Sequence, residues 1–137
     1  MFTHTWKGLP LIYSGQELPN HQRLQFFDKD CIAWGNEPAL HHFYKILSRC
    51  RKQYPALING ATYNLPTQSN RVMAYLRYDA SNVLLIVLNL SNEIQKISFS
   101  HELLVGEFIN VFSGLAFSFD KEVSFELMPG DHFIYVK

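Results

Sequence analysis

Gln16 and Glu17 are the residues of this chain best placed to do chemistry. They stand directly behind Ser14 and Gly15, which close a short apolar run of Leu9, Pro10, Leu11, Ile12 and Tyr13. Glycine lets a chain turn sharply just past the end of a strand. In a closed parallel barrel, polar residues after such a turn lie on the catalytic face. The other chemically capable residues are less well organised. His4 has no partner acid or nucleophile nearby in the sequence, so general acid–base work is not assigned to it. His21, Asp28 and Asp30 are metal-ligand types, but their spacing fits neither a Ca²⁺ loop nor a Zn²⁺ pattern. Adjacent residues on a helix point about 100° apart, which makes His41 and His42 solvent-side residues rather than a ligand pair. Cys31 and Cys50 form no disulfide framework, and Cys50 reads as a small core hydrophobe. No catalytic residue and no metal ligand is assigned within the chain.

Three kinds of element must position these groups. Uninterrupted apolarity over residues 9–13 suits a strand covered on both faces, as in a parallel sheet. A long polar stretch follows, 18–36, with Phe26, Phe27, Ile32 and Trp34 expected to pin it down; loops of this length are usually functional or mobile. Next comes an amphipathic helix over 40–54. Asn36 is its expected N-cap and Pro38 lies in its first turn. Leu40, Phe43, Tyr44, Leu47, Cys50 and Tyr54 form its apolar face. Lys45, Ser48, Arg49, Arg51 and Lys52 lie mostly elsewhere, and Pro55 ends it.

From Ala56 onward helical periodicity gives way to short β-rich runs. Strands are expected over 61–63, 71–78, 83–90, 94–99, 108–112, 116–119, 123–127 and 133–136, with turn chemistry between them. Evenly spaced short strands of this kind argue for an antiparallel β-sandwich with Greek-key links. Its expected core includes Leu85, Val87, Ile97, Phe99, Ile109, Val111, Phe117, Phe125, Leu127 and Ile134.

Size and composition narrow the choices. The 137 residues are 47% hydrophobic and 15% aromatic, with 12 basic and 12 acidic side chains. That is a core-forming sequence, too short for a barrel of about 250 residues. Balanced charge without clustering argues against a nucleic-acid or anionic-membrane surface, and no apolar run approaches the roughly 20 residues of a membrane helix. Met1 to Lys7 lack the basic-then-apolar plan of a signal peptide, so compartment stays open.

The opening run, Gly8-Leu9-Pro10-Leu11-Ile12-Tyr13-Ser14-Gly15-Gln16-Glu17, resembles the eighth barrel strand of the α-amylase family of glycoside hydrolases, with Ser14 where the family often has tyrosine. The segment from Leu40 through Phe43-Tyr44-Lys45 and Arg51-Lys52-Gln53-Tyr54-Pro55-Ala56-Leu57 resembles the family's eighth helix, and Gly60 fits the glycine that commonly follows. The groups Phe27-Asp28-Lys29-Asp30 and Ile32-Ala33-Trp34 are similar to the loop between strand and helix. Leu127-Met128-Pro129-Gly130-Asp131, with Phe133 and Tyr135, is similar to the last hairpin of the family's C-terminal sandwich.

The resemblance implies a mainly β chain with one long helix. Residues 1–55 would be a strand–loop–helix remnant of a (β/α)₈ barrel, and residues 56–137 the antiparallel Greek-key β-sandwich domain. It implies an enzyme acting on α-glucans by a retaining mechanism, whose nucleophile, acid/base and stabilising aspartate follow strands four, five and seven. None of those segments is in this chain. Retaining chemistry needs two carboxylates about 5–5.5 Å apart, and Glu17 alone does not supply them. The expected role is therefore structural, completing and stabilising the barrel, with no activity alone and no cofactor here; a Ca²⁺ belongs, if anywhere, to the longer enzyme. Tyr13, Gln16 and Glu17 would lie near substrate in that enzyme. The alternative is a carbohydrate-binding module that stacks α-glucan on Tyr63, Tyr75 and Tyr78, with Phe117 and Phe119 as further candidates. Expected partners are the absent barrel, α-glucan through it, and a second copy paired through the barrel-facing surfaces. As an intramolecular variant, the run 9–13 would fold onto its own sandwich or helix.

Overall fold

The computed structural model describes all residues except 19–22, 24, 26, 36 and 37; the expected N-cap Asn36, the anchor Phe26 and the candidate ligand His21 lie outside the described residues. Among the described residues eight strands form two antiparallel sheets. They are β1 (Ala61–Asn64), β2 (Val72–Tyr78), β3 (Val83–Asn89), β4 (Gln95–Ser100), β5 (Gly106–Asn110), β6 (Ala116–Phe119), β7 (Glu122–Leu127) and β8 (His132–Val136). The larger sheet runs β1-β2-β3-β8-β5-β6, and β4 pairs with β7 in a second sheet. Since β4 and β7 leave the large sheet and the chain returns to it, the strands link two layers as a sandwich requires. Three helices flank them: α1 (Phe2–Thr5), α2 (His41–Gln53) and α3 (Ala56–Asn59).

Strand periodicity explains which faces are covered. Val72, Ala74 and Leu76 of β2, Leu85 and Val87 of β3 and Tyr135 of β8 point to one face. There they meet Ile97 and Phe99 of β4 and Val123 and Leu127 of β7. The intervening residues Tyr75, Leu84, Ile86, Leu88, Ile134 and Val136 point to the other face and pack with Leu47, Cys50, Ala56 and Leu57. Because β3 is covered on both sides, its sequence is continuously apolar rather than alternating. The helix segment thus shares a core with the sandwich.

Several expectations change. The run 9–13 is not a strand: it has no regular structure, and Leu9 is 96% and Leu11 73% exposed. In a closed parallel barrel each strand pairs on both edges, and here the run pairs with no strand. Nor has the run joined a sheet of its own sandwich; its two ends are tied to α2 instead. Helix α2 begins at His41, with Leu40 as its N-cap and Pro38 ahead of it, where the Pro38 carbonyl accepts the His41 N–H at 2.9 Å. Pro55 ends α2 as expected, but immediately starts the one-turn α3. The lead-in, residues 1–7, carries the short helix α1, which buries His4 and Thr5.

In β5 the inward phase is Phe108 and Asn110, not Ile109, which is 39% exposed. Both phases of Phe108-Ile109-Asn110-Val111 look plausible by apolarity. Asn110 decides between them, because its buried side chain accepts the N–H groups of Phe112 and Ser113 and so shapes the turn. Val111 and Phe125 are partly rather than fully buried. Phe117 is 38% exposed because β6 is the sheet's edge. Among the described residues no helix is long and apolar enough to cross a membrane.

Candidate functional site

The sequence places Tyr13, Gln16 and Glu17 in one tight turn, and the structure shows how that turn is built. Gln16 N–H donates to the Tyr13 carbonyl at 2.9 Å, while the Gln16 side-chain carbonyl accepts the Tyr13 N–H at 3.0 Å. Gly15 holds φ +77°, the left-handed conformation that a tight turn demands at its third residue. A Cβ there would also stand 3.1 Å from Ile32 Cγ2. Conformation therefore favours glycine, and a side chain would in addition need Ile32 to give by a few tenths of an ångström. The Glu17 carbonyl accepts the Leu40 N–H at 2.9 Å, which ties the turn to the head of α2. Tyr13 is 60% exposed, Gln16 is exposed, and Glu17 is half-buried. The arrangement offers an amide, a phenol and one carboxylate on a surface, a set suited to hydrogen bonding rather than to two-carboxylate chemistry.

The neighbouring loop differs from expectation. Phe27 and Trp34 are exposed rather than turned into the core; Ile32 turns inward against Gly15. Asp30 uses its carboxylate to accept the Gln25 N–H at 2.9 Å. Among the described residues no three His, Cys, Asp or Glu side chains are grouped so as to hold a metal ion. His41 and His42 are exposed. Burial pushes the Cys50 thiol up to about 12, which leaves it an inert packing group.

The three tyrosines considered for sugar stacking do not share a surface. Tyr63 pairs across with Leu76, and Tyr78 with Ala61, so both rings belong to the face toward the second sheet. Tyr75 is on the opposite face and fully buried. Its ring packs edge-on to Trp6 at 5.1 Å and its hydroxyl meets Thr5 Oγ1 at 2.5 Å; burial raises its pKa to about 12. Tyr75 is thus removed from any platform because a β-strand sends neighbours to alternate faces. Tyr63 is 43% exposed and lies against the His101 ring at 4.4 Å. Phe117 and Phe119 are on the far edge of the same sheet from Tyr63.

The most organised polar site is one that sequence reasoning missed. Arg51 is buried on α2. Its Nη1 donates to the carbonyls of His4 at 3.0 Å, Trp6 at 3.1 Å and Leu57 at 3.2 Å, and its Nη2 donates to the Gly8 carbonyl. One guanidinium therefore ties the lead-in to both α2 and α3. A signal for it existed: Arg51 is four residues after Leu47 and one after Cys50, which places it on the apolar face rather than off it. A second buried arginine, Arg77 on β2, donates through Nη1 to Thr62 Oγ1, while its Nε and Nη2 find no acceptor among the described residues.

No family model matches the chain. A cyclomaltodextrinase of a Bacillus species is 31% identical over 93 residues, covering 65% of this chain and 17% of that protein. A cyclomaltodextrinase of Geobacillus thermopakistaniensis is 26% identical over 138 residues, covering 98% of this chain and 24% of that protein. The chain thus spans a quarter or less of the length of these curated relatives. In fold it matches the crystal structure of a noncanonic maltogenic α-amylase, AmyB, from Thermotoga neapolitana, with a TM-score of 0.84 and 22% identity over 99% of this chain and 34% of that one. In sequence and in fold, the chain corresponds to the C-terminal part of α-amylase-family enzymes.

Proposed function

We propose that this chain serves as the C-terminal part of a glycoside hydrolase acting on α-glucans of the starch and maltooligosaccharide class, where it completes and stabilises the catalytic barrel. The observation that carries this reading is the run 9–13. Its composition is that of a strand covered on both faces, yet it lies exposed between a packed lead-in and a built turn. An exposed apolar surface of this kind marks an interaction site. The partner that fits is the rest of the barrel, with Leu9 to Tyr13 as its eighth strand. Tyr13, Gln16 and Glu17 would then reach the face where substrate lies. The reacting carboxylates, and any Ca²⁺, belong to the remainder of the enzyme, so the chain alone is without activity. The match to the C-terminal portions of cyclomaltodextrinases supports the substrate class.

The competing reading, an independent α-glucan-binding module, has lost Tyr75 from its platform. Affinity electrophoresis in soluble starch, run beside an assay of reducing-sugar release from maltooligosaccharides, separates the two. The chain alone should migrate unretarded and release nothing. Retardation by starch that Tyr63→Ala abolishes would transfer the assignment to the module, and sugar release by the chain alone would overturn both.

A further inference from the structure

The run 9–13 is fixed at both ends to the same helix. At one end the Arg51 guanidinium holds the carbonyls of Trp6 and Gly8. At the other the Leu40 N–H donates to the Glu17 carbonyl. Leu40 caps the start of α2 and Arg51 lies near its end, so the two attachment points are eleven residues apart along the helix. At 1.5 Å per residue that is roughly 16 Å. The chain between the two attachment points, Gly8 to Glu17, is long enough to cover that distance, with the tight turn from Tyr13 to Gln16 taking up part of its length. The chain passes from the C-terminal end of α2 toward its N-terminal end, antiparallel to the helix, which is the relation of strand to helix in a βα unit.

Exposure along the run alternates accordingly. Leu9, Leu11 and Tyr13 are 96%, 73% and 60% exposed, while Ile12 falls to 41% and Pro10 is half-buried. Exposure is therefore lower at Pro10 and Ile12 than at the three residues that flank them.

We propose that Arg51 is a positioning residue: its fork, together with the head of α2, holds residues 9–13 strung along the helix in the orientation of a barrel strand, with Leu9, Leu11 and Tyr13 as the face presented to the remaining barrel. The role of that face rests on the function proposed above; the strap does not. Arg51 suits the task because a guanidinium directs its donors in a fixed planar fork. Three carbonyls of the lead-in (His4, Trp6 and Gly8) and one of α3 (Leu57) converge on it, and a lysine lacks the second nitrogen that bonds Gly8. Preorganisation of this kind lowers the ordering cost when a strand is captured by sheet edges.

The test uses the 137-residue chain alone, without saccharide, and so is independent of any enzymatic reading. Limited trypsin digestion is followed by mass spectrometry at Lys7, inside the strap, and at Arg71 and Lys96, in the sandwich. Arg51→Ala should accelerate cleavage at Lys7 by on the order of tenfold or more while the sandwich sites stay protected, as expected for local rather than global opening. Free guanidinium, far below denaturing concentration, should restore protection at Lys7, and Arg51→Lys should not. Should Arg51→Ala fail to fold, Arg51→Lys carries the test: faster cleavage confined to Lys7 supports the strap. Protection in Arg51→Lys equal to the unaltered chain, or acceleration shared equally by all three sites, would overturn it.

Discussion

Replacing Arg77 by methionine should make the protein more stable, although it deletes a buried charged residue and its hydrogen bond. Arg77 is 0% exposed. Its Nη1 bonds Thr62 Oγ1, but Nε and Nη2 have no acceptor among the described residues. Burial pushes its pKa down; the nearby Tyr75 opposes this and Arg51 adds to it. Each orphaned buried donor costs about 1–3 kcal/mol, and a hydrogen bond from a charged donor contributes about 1.5–3 kcal/mol. Relief of two orphans against the loss of one bond leaves a net gain of about 1–3 kcal/mol. That agrees in sign with the gains seen when buried ionic groups give way to apolar ones. Methionine is the replacement of choice because its unbranched thioether follows the path of the arginine stem. Urea denaturation of the two proteins reads the difference directly, with an unchanged m-value confirming that the folded and unfolded states are otherwise the same. A thermal scan should move upward by about 4 °C per kcal/mol at this size. A loss of more than about 1 kcal/mol in Arg77→Met would refute the reasoning, since it would mean that the two donors are satisfied.

Other expectations follow from the packing. Leu85→Ala removes a fully buried side chain from the inter-sheet core and should cost about 2–5 kcal/mol in urea unfolding, whereas Ile109→Ala, at a 39% exposed position, should cost well under half of that. His4 is buried, and desolvation first, then the Met1 amino group and Arg51, push its pKa down. The folded protein therefore binds fewer protons than the unfolded chain, whose imidazole titrates near the usual value of about 6.5. The stability His4 contributes is complete above that value and is lost as pH falls through the depressed folded pKa. Urea midpoints measured from pH 7.5 down to 4.5 should show this loss, and His4→Gln should remove its share of the slope. If a second copy covers residues 9–13, static light scattering should show mass rising with concentration and Leu11→Asp should suppress the rise; a constant monomer mass excludes that pairing.

How much could be read from the sequence depended on whether a residue's neighbours lay within the chain. The strands from Val72 to Val136 were legible because their alternation is answered by two layers that the chain itself provides, and β3 betrayed its double burial by continuous apolarity. Helix α2 was legible as a periodic face. The run 9–13 read as a strand because its composition records a covered environment, and here it joins neither sheet. Ile109 was misjudged because hydrophobicity alone could not choose between two phases that a turn-shaping asparagine decides. Arg51 was passed over because a basic residue near a helix end has an ordinary explanation in the dipole; its real partners are carbonyls of a lead-in that sequence patterning gave no reason to bring close. The turn of Tyr13, Gln16 and Glu17 was legible in place, and its tie to Leu40 was not.

The central claim is that the chain is the closing part of an α-glucan hydrolase barrel, and the most direct test is the coding sequence immediately upstream of the Met1 codon. The account predicts an open frame continuous with Met1 that encodes seven βα units, with an aspartate after the fourth strand, a glutamate after the fifth and an aspartate after the seventh. An in-frame stop directly upstream, with no barrel-coding frame beside it, would contradict the account.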